Sequence, residues 1–115
     1  MAISRREALK RGISYGTGVI THGNDSIVFD RALRAFPKDG TYATMRAALE
    51  AGDAEAALPA AQAFTQLCSS LAMSELFVAM KQVEEALAEG ALPSAEELDE
   101  IDAAYRDLVE YLSHA

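Results

Sequence analysis

The chain of 115 residues contains one cysteine, Cys68, which excludes an internal disulfide and leaves no cysteine spacing for a metal. Nowhere do apolar residues run on long enough for a membrane span, so no membrane partner is expected. The first residues, MAISRREALKRG, are basic but have no apolar stretch behind them, which argues against an export signal and for a cytoplasmic location. Cations are also scarce: 10 Lys and Arg face 18 Asp and Glu, a net charge of −8. Binders of nucleic-acid phosphates need clustered cations to displace counterions, so nucleic acid is excluded as a partner class. A di-metal bundle would need Glu-x-x-His motifs, a hydrolase a Ser/His/Asp set, and a nucleotide enzyme a phosphate loop; none of these is written in the sequence, and no cofactor or metal is expected.

What is present is a chain about half apolar, which fits one domain over residues 1–115 with a single core. Its charge is uneven. Residues 1–46 carry eight bases (Arg5, Arg6, Lys10, Arg11, Arg31, Arg34, Lys38, Arg46) and four acids, a net +4; residues 47–115 carry two bases and fourteen acids, a net −12. Either the two halves complement each other within the fold, or the basic half forms a patch for an acidic partner surface.

Hydrophobic periodicity predicts helices nearly everywhere and no strand. Ser4 to Glu7 reads as a capping box with Ile3 as its staple, opening a short helix. Residues 12–25, GISYGTGVITHGND, hold four glycines and no helical period, and read as a connecting loop. The Gly16-Thr17-Gly18 step in it is not a phosphate cradle, because the third glycine of the dinucleotide fingerprint would fall at Thr21.

A bundle then follows over residues 26–115. Phe29, Leu33 and Phe36 share one face of a helix that Pro37 and Asp39-Gly40 end; Thr41 is placed to cap a helix burying Tyr42, Met45 and Leu49, with Gly52 at its end. Asp53 is placed to cap a helix to about residue 72, Ser74 one to about residue 89, and Ser94-Ala95-Glu96-Glu97 is a second capping box for a terminal helix. That last helix carries Leu98, Ile101, Tyr105, Leu108 and Leu112 on one stripe. Short connections favour antiparallel neighbours, so the expected architecture is all-α, an up-down antiparallel four-helix bundle with added N-terminal helices. Phe64, Phe77, Met80 and Tyr105 are expected to fill its core.

On the helix after Asp53, Ala57, Ala61, Phe64, Cys68 and Leu71 cluster within about 40° of one direction. Cys68 is therefore a small apolar core residue. Gln62, Gln66 and Ser69 lie roughly 120–180° away, with Thr65 at the shoulder, and are expected to face solvent. Pro59 sits about one turn before Gln62, where its missing N–H and its ring should kink the axis or delay the helix start.

The run GDAEAALPAAQAFTQLCSSLAMSEL, residues 52–76, resembles the phosphorylation-site region of histidine-phosphotransfer (HPt) domains, small bundles that pass phosphoryl groups between receiver domains. The preceding AFPKDGTYATMRAALEAGD is similar to the helix before the site in that family, and the pattern continues through residues 74–90 and an acidic last helix. The glycine-rich segment before residue 26 has no counterpart.

The family signature is His-x-x-Lys-Gly: the imidazole attacks an aspartyl phosphate, the lysine offsets charge and the glycine clears space for the partner. Here those positions read Gln62, Thr65 and Gln66. A carboxamide nitrogen has its lone pair delocalised into the carbonyl and cannot form the phosphoramidate. The resemblance thus implies a pseudo-HPt that is not an enzyme and binds a receiver domain or hybrid sensor kinase as a decoy or scaffold. The expected docking face is Gln62, Thr65, Gln66 and Ser69, with Ser70 and Pro59 at its edge. The two histidines do not supply the missing nucleophile, since His22 falls in the glycine-rich loop and His114 near the end of the last helix. The alternative reading is a helical interaction or dimerisation module, with a homodimer as its simplest form and no link to phosphorelay.

Overall fold

Helices α1 (Arg5–Lys10), α2 (Tyr15–Thr21), α3 (Ser26–Ala35), α4 (Thr41–Glu50), α5 (Ala54–Ser70), α6 (Ser74–Ala88) and α7 (Ala95–Ser113), with a 3-10 turn at Phe36–Lys38 after α3, make up the computed structural model, which describes residues 2–115. No strand occurs among the described residues, and no helix there is long and apolar enough to cross a membrane.

Local chemistry starts most of these helices. The Ser4 hydroxyl accepts from the Glu7 amide, Asp25 from the amides of Ile27 and Val28, Asp53 from Ala56 and Ser94 from Glu97, each satisfying a first-turn N–H that has no partner within its helix. Two expected caps differ. Thr41 is the first residue of α4 rather than its cap; its amide and hydroxyl both donate to the Asp39 carboxylate, at 2.8 and 2.6 Å. Ser74 likewise is the first residue of α6, with Met73 in the cap position, and its hydroxyl is shared with Ser14 at 2.7 Å. In both places a polar residue one or two positions before, or from another segment, offered a better partner than the helix end.

The expected loop over residues 12–25 is the larger correction, because α2 occupies its middle. Gly12 (φ +79°) and Gly23 (φ +71°) make the turns on either side, as the glycine count suggested. Gly18 does something else: it lies buried in α2 against Phe29, and a Cβ there would stand 2.0 Å from the Phe29 Cζ. The residue is small so that α2 can press onto α3, and tertiary contact rather than helix propensity holds this seven-residue helix. The segment is also stitched to the corner between α5 and α6. Ser14 N donates to Ala72 O at 2.7 Å and Ser74 N to Gly12 O at 3.0 Å, forming an isolated antiparallel bridge at Ile13 and Met73. On α3, Asp30, only 4% exposed, accepts from the Ile3 amide at 3.2 Å and from the Tyr15 hydroxyl.

Beyond α3, the chain builds its core from rings. Helix α4 packs along α5, and α5 along α6, while α7 lies over the 3-10 turn. Phe36, Tyr42, Phe64 and Tyr105 meet in one cluster, with Tyr42 and Tyr105 stacked at 3.9 Å between centroids and Phe64 edge-on to both. Met45, Met80 and Val83 are fully buried beside it, so the apolar stripes read from periodicity do face inward. Phe77, expected as core, is only half-buried. The Tyr42 hydroxyl donates to Asp102, whose carboxylate also takes the fork of Arg46, with Nε and an Nη each at 3.1 Å. Desolvation first, and that hydrogen bond second, push the Tyr42 hydroxyl well above its usual range.

Part of the charge asymmetry is resolved internally. Arg46 to Asp102 and Arg11 to Asp107, the latter at 2.5 Å, both join the basic first part of the chain to acidic α7. Arg34 reaches the backbone carbonyl of Ala115.

Candidate functional site

Helix α5 carries every residue of the expected docking face and runs without a break through Pro59 to Ser70. Pro59 is exposed and sits within the helix, not at its start. The buried face holds Ala57, Ala61, Phe64 and Cys68, as the helical wheel predicts. Burial pushes the Cys68 thiol up to about 12, a backbone hydrogen bond pulling weakly the other way, so it remains protonated and shielded.

Gln62, Gln66, Ser69 and Ser70 are exposed. Thr65 is not: it is 4% exposed, and its hydroxyl donates to the Ala61 carbonyl at 2.8 Å. The expectation that it faces solvent is wrong for a geometric reason. Thr65 follows Ala61 by four residues, about 40° round the helix, and α5 has a neighbour on each side, which widens its buried arc beyond that of a helix packed on one face. The hydroxyl removes its own burial cost by bonding back to the preceding turn.

The exposed face of α5 does not stand alone. With α6 it forms an open groove of about 370 Å³, lined by Gln62, Thr65, Gln66 and Ser69 from α5 and by Phe77, Lys81 and Glu84 from α6. The structure therefore brings four of the six sequence-predicted residues together; Pro59 and Ser70 lie outside the lining. The three α6 residues escaped the sequence reading. One signal was available for Lys81, since it and Arg106 are the only bases after residue 46.

The groove's electrostatics rest on Lys81 and Glu84. The Lys81 ammonium is more than half exposed and stands over the Phe77 ring, 5.8 Å from its centroid. It approaches Glu84 Oε2 only to 3.9 Å, close enough for an ion pair but too long for a hydrogen bond. Glu84 Oε2 is thereby left buried with no hydrogen-bond donor, the one side-chain nitrogen or oxygen in that condition among the described residues. Gln62 and Gln66 add amide donors and acceptors, and Ser69 a hydroxyl. This set is able to hydrogen-bond polar groups, and no imidazole or thiol is among its lining residues.

Both histidines lie elsewhere. His22 closes α2 and opens the short connection to α3, where it is half-buried, packs on Phe29 with centroids 5.0 Å apart and has its Nδ1 2.8 Å from the Gly18 carbonyl. His114 closes α7 and is exposed. Comparison with known proteins gives no match to a family model, a curated protein or a solved structure.

Proposed function

We propose that the chain is an HPt-like protein of two-component phosphorelay signalling, built as an up-down helical bundle, that binds a receiver domain or hybrid sensor kinase without accepting phosphate. It acts as a decoy or scaffold, competing with an active phosphotransfer protein for the same partner. The observation that carries the reading is Gln62: it stands exposed on the long central helix, at the mouth of a polar groove, where the resemblance calls for the phosphorylated imidazole. An amide there keeps the capacity to hydrogen-bond and loses the nucleophile.

The test is to incubate the protein with radiolabelled phospho-receiver or sensor kinase from the same organism. A complex with no label on this chain is the expected result; acid-labile label on it would sink the non-accepting reading. Gln62→His alone is expected to restore little transfer, because Gln66 still crowds the approach. Gln62→His with Gln66→Gly should restore more. Thr65→Lys is a poor addition, since it would force an ammonium into the buried boundary between α5 and α6.

The second reading, an interaction or dimerisation module outside phosphorelay, draws on Leu9, Ile20, Ile27 and Val28. These are exposed large apolar residues on α1–α3, outside any part of the resemblance except its first helix. Pull-down against the cell's receiver domains separates the two: loss of a receiver complex on Gln66→Glu supports the first, whereas self-association alone, unaffected by that change, supports the second.

A further inference from the structure

A buried carboxylate oxygen without a donor is costly, since it gives up water and receives nothing in return. Nearly all such groups in folded proteins find a partner, so a lone exception at the wall of an open groove needs a reason. Glu84 Oε2 is that exception. The nearest cation does not satisfy it: Lys81 stays at 3.9 Å with its side chain 56% exposed, on a stem long enough to move aside.

The rest of the groove indicates what kind of group would. The Gln62 and Gln66 amide oxygens, the Ser69 hydroxyl and the Glu84 carboxylate are acceptors around one space, and Phe77 offers a half-buried ring. The groove's own charges are one acid and one base, Glu84 and Lys81, so once the mobile Lys81 stem swings out the remaining charge is the Glu84 carboxylate, which favours a cation. A planar cation with several donors fits acceptors spread in this way and stacks on a ring, which is the chemistry of a guanidinium; an ammonium is already present and leaves Oε2 unmet.

We infer that Glu84 is the anchoring acceptor for an arginine side chain that a docking protein inserts into the groove between α5 and α6. The arginine displaces the Lys81 ammonium, donates to Glu84 Oε2 and lies against Phe77, with Gln62 and Gln66 able to take its remaining N–H groups. The inference rests on the reading of this groove as a protein-docking face, and not on whether the visitor is a receiver or a kinase.

The test is a titration of the isotope-labelled protein with N-acetyl-arginine amide, followed by NMR, with N-acetyl-norleucine amide as the apolar control. Saturable shifts are expected at Gln62, Gln66 and Glu84 at millimolar probe. Glu84→Gln should weaken the probe by roughly tenfold through loss of the charge-assisted pair, and Lys81→Met should strengthen it by removing the competitor. Equal shifts with norleucine amide, an unchanged response in Glu84→Gln, or an equal response at exposed Glu96 and Glu97 would overturn the inference. A receiver that binds wild type and Glu84→Gln alike would also overturn it while leaving the proposed function standing. Saturable arginine binding at Glu84 with no receiver or kinase complex would remove the phosphorelay reading and keep the arginine site.

Discussion

In α1–α3 the closest packing is helix backbone against ring, with Gly18 admitting α2 onto Phe29; in α4–α7 it is ring against ring, with Phe64 between Phe36, Tyr42 and Tyr105. Both regions also use a tyrosine that donates to an aspartate, but in different settings. Asp102 receives Tyr42 and the guanidinium fork of Arg46 across α4 and α7. Asp30 receives Tyr15 and a backbone amide at Ile3, so it ties the segment before α1 to the fold. Both regions bury apolar side chains in one core, and Phe29 meets the rings of Tyr15 and His22; what the N-terminal region adds is close approach at Gly18, backbone pairing to the α5–α6 corner and one buried carboxylate. The candidate groove belongs to the body, on the hairpin whose corner the N-terminal region clamps.

The difference can be broken most forcefully at Phe64. Phe64→Ala removes the ring that touches all three partners and is expected to cost about 3–5 kcal/mol, read as a lower denaturant midpoint for the whole protein. Gly18→Ala attacks the other region. Its Cβ would overlap the Phe29 ring, so α2 must lift, at roughly 1–3 kcal/mol. Here the measurement is amide hydrogen exchange: faster exchange confined to α1–α3 sharpens the contrast, and equal acceleration in α5 and α6 would show the two regions to be one cooperative unit.

Alkali tests both regions at once. Burial, and then the bond to Asp30, raise Tyr15 from 10.0 to about 12, and burial raises Cys68 from 9.0 to about 12. A group whose folded pKa is raised contributes its full stability below its unfolded pKa and loses it as pH climbs through the folded one. Stability from these groups should hold at neutral pH and fall between about pH 9 and 12, the Cys68 contribution starting to decline first. Thiol labelling of native Cys68 at pH 8 should likewise proceed only as fast as the chain opens. The smallest loss is expected from Glu84→Gln, which should leave the denaturant midpoint unchanged or slightly raised, because the buried oxygen makes no hydrogen bond and the amide has no charge to desolvate. A large loss there would mean that Glu84 supports the fold rather than the groove.

The site was legible where it depends on one helix. Phase alone puts Gln62, Gln66 and Ser69 outward and Phe64 and Cys68 inward, because a helix fixes the angle between residues whatever surrounds it. It failed at Thr65, whose burial depends on a second neighbour of α5, and it could not reach Phe77, Lys81 and Glu84, which enter the groove from another helix. The segment over residues 12–25 was misread for a related reason. Four glycines weaken a helix in isolation, yet two of them, Gly16 and Gly18, lie inside α2. Nothing in the local sequence shows that a ring from α3 waits above Gly18.

The sequence by itself determined that the described chain is helical, where Ser4, Asp53 and Ser94 begin helices, and that the outward face of α5 carries an amide at Gln62 and no imidazole. These are properties of neighbours within a turn or two, set by hydrogen bonds and periodicity that operate locally. Tertiary structure alone decided that α5 and α6 share a polar groove, that Lys81 lies near Glu84 without satisfying it, and that a glycine-rich segment folds as a helix against Phe29. Those outcomes depend on which faces meet and how closely, and the energy that fixes them comes from surfaces far apart in the chain.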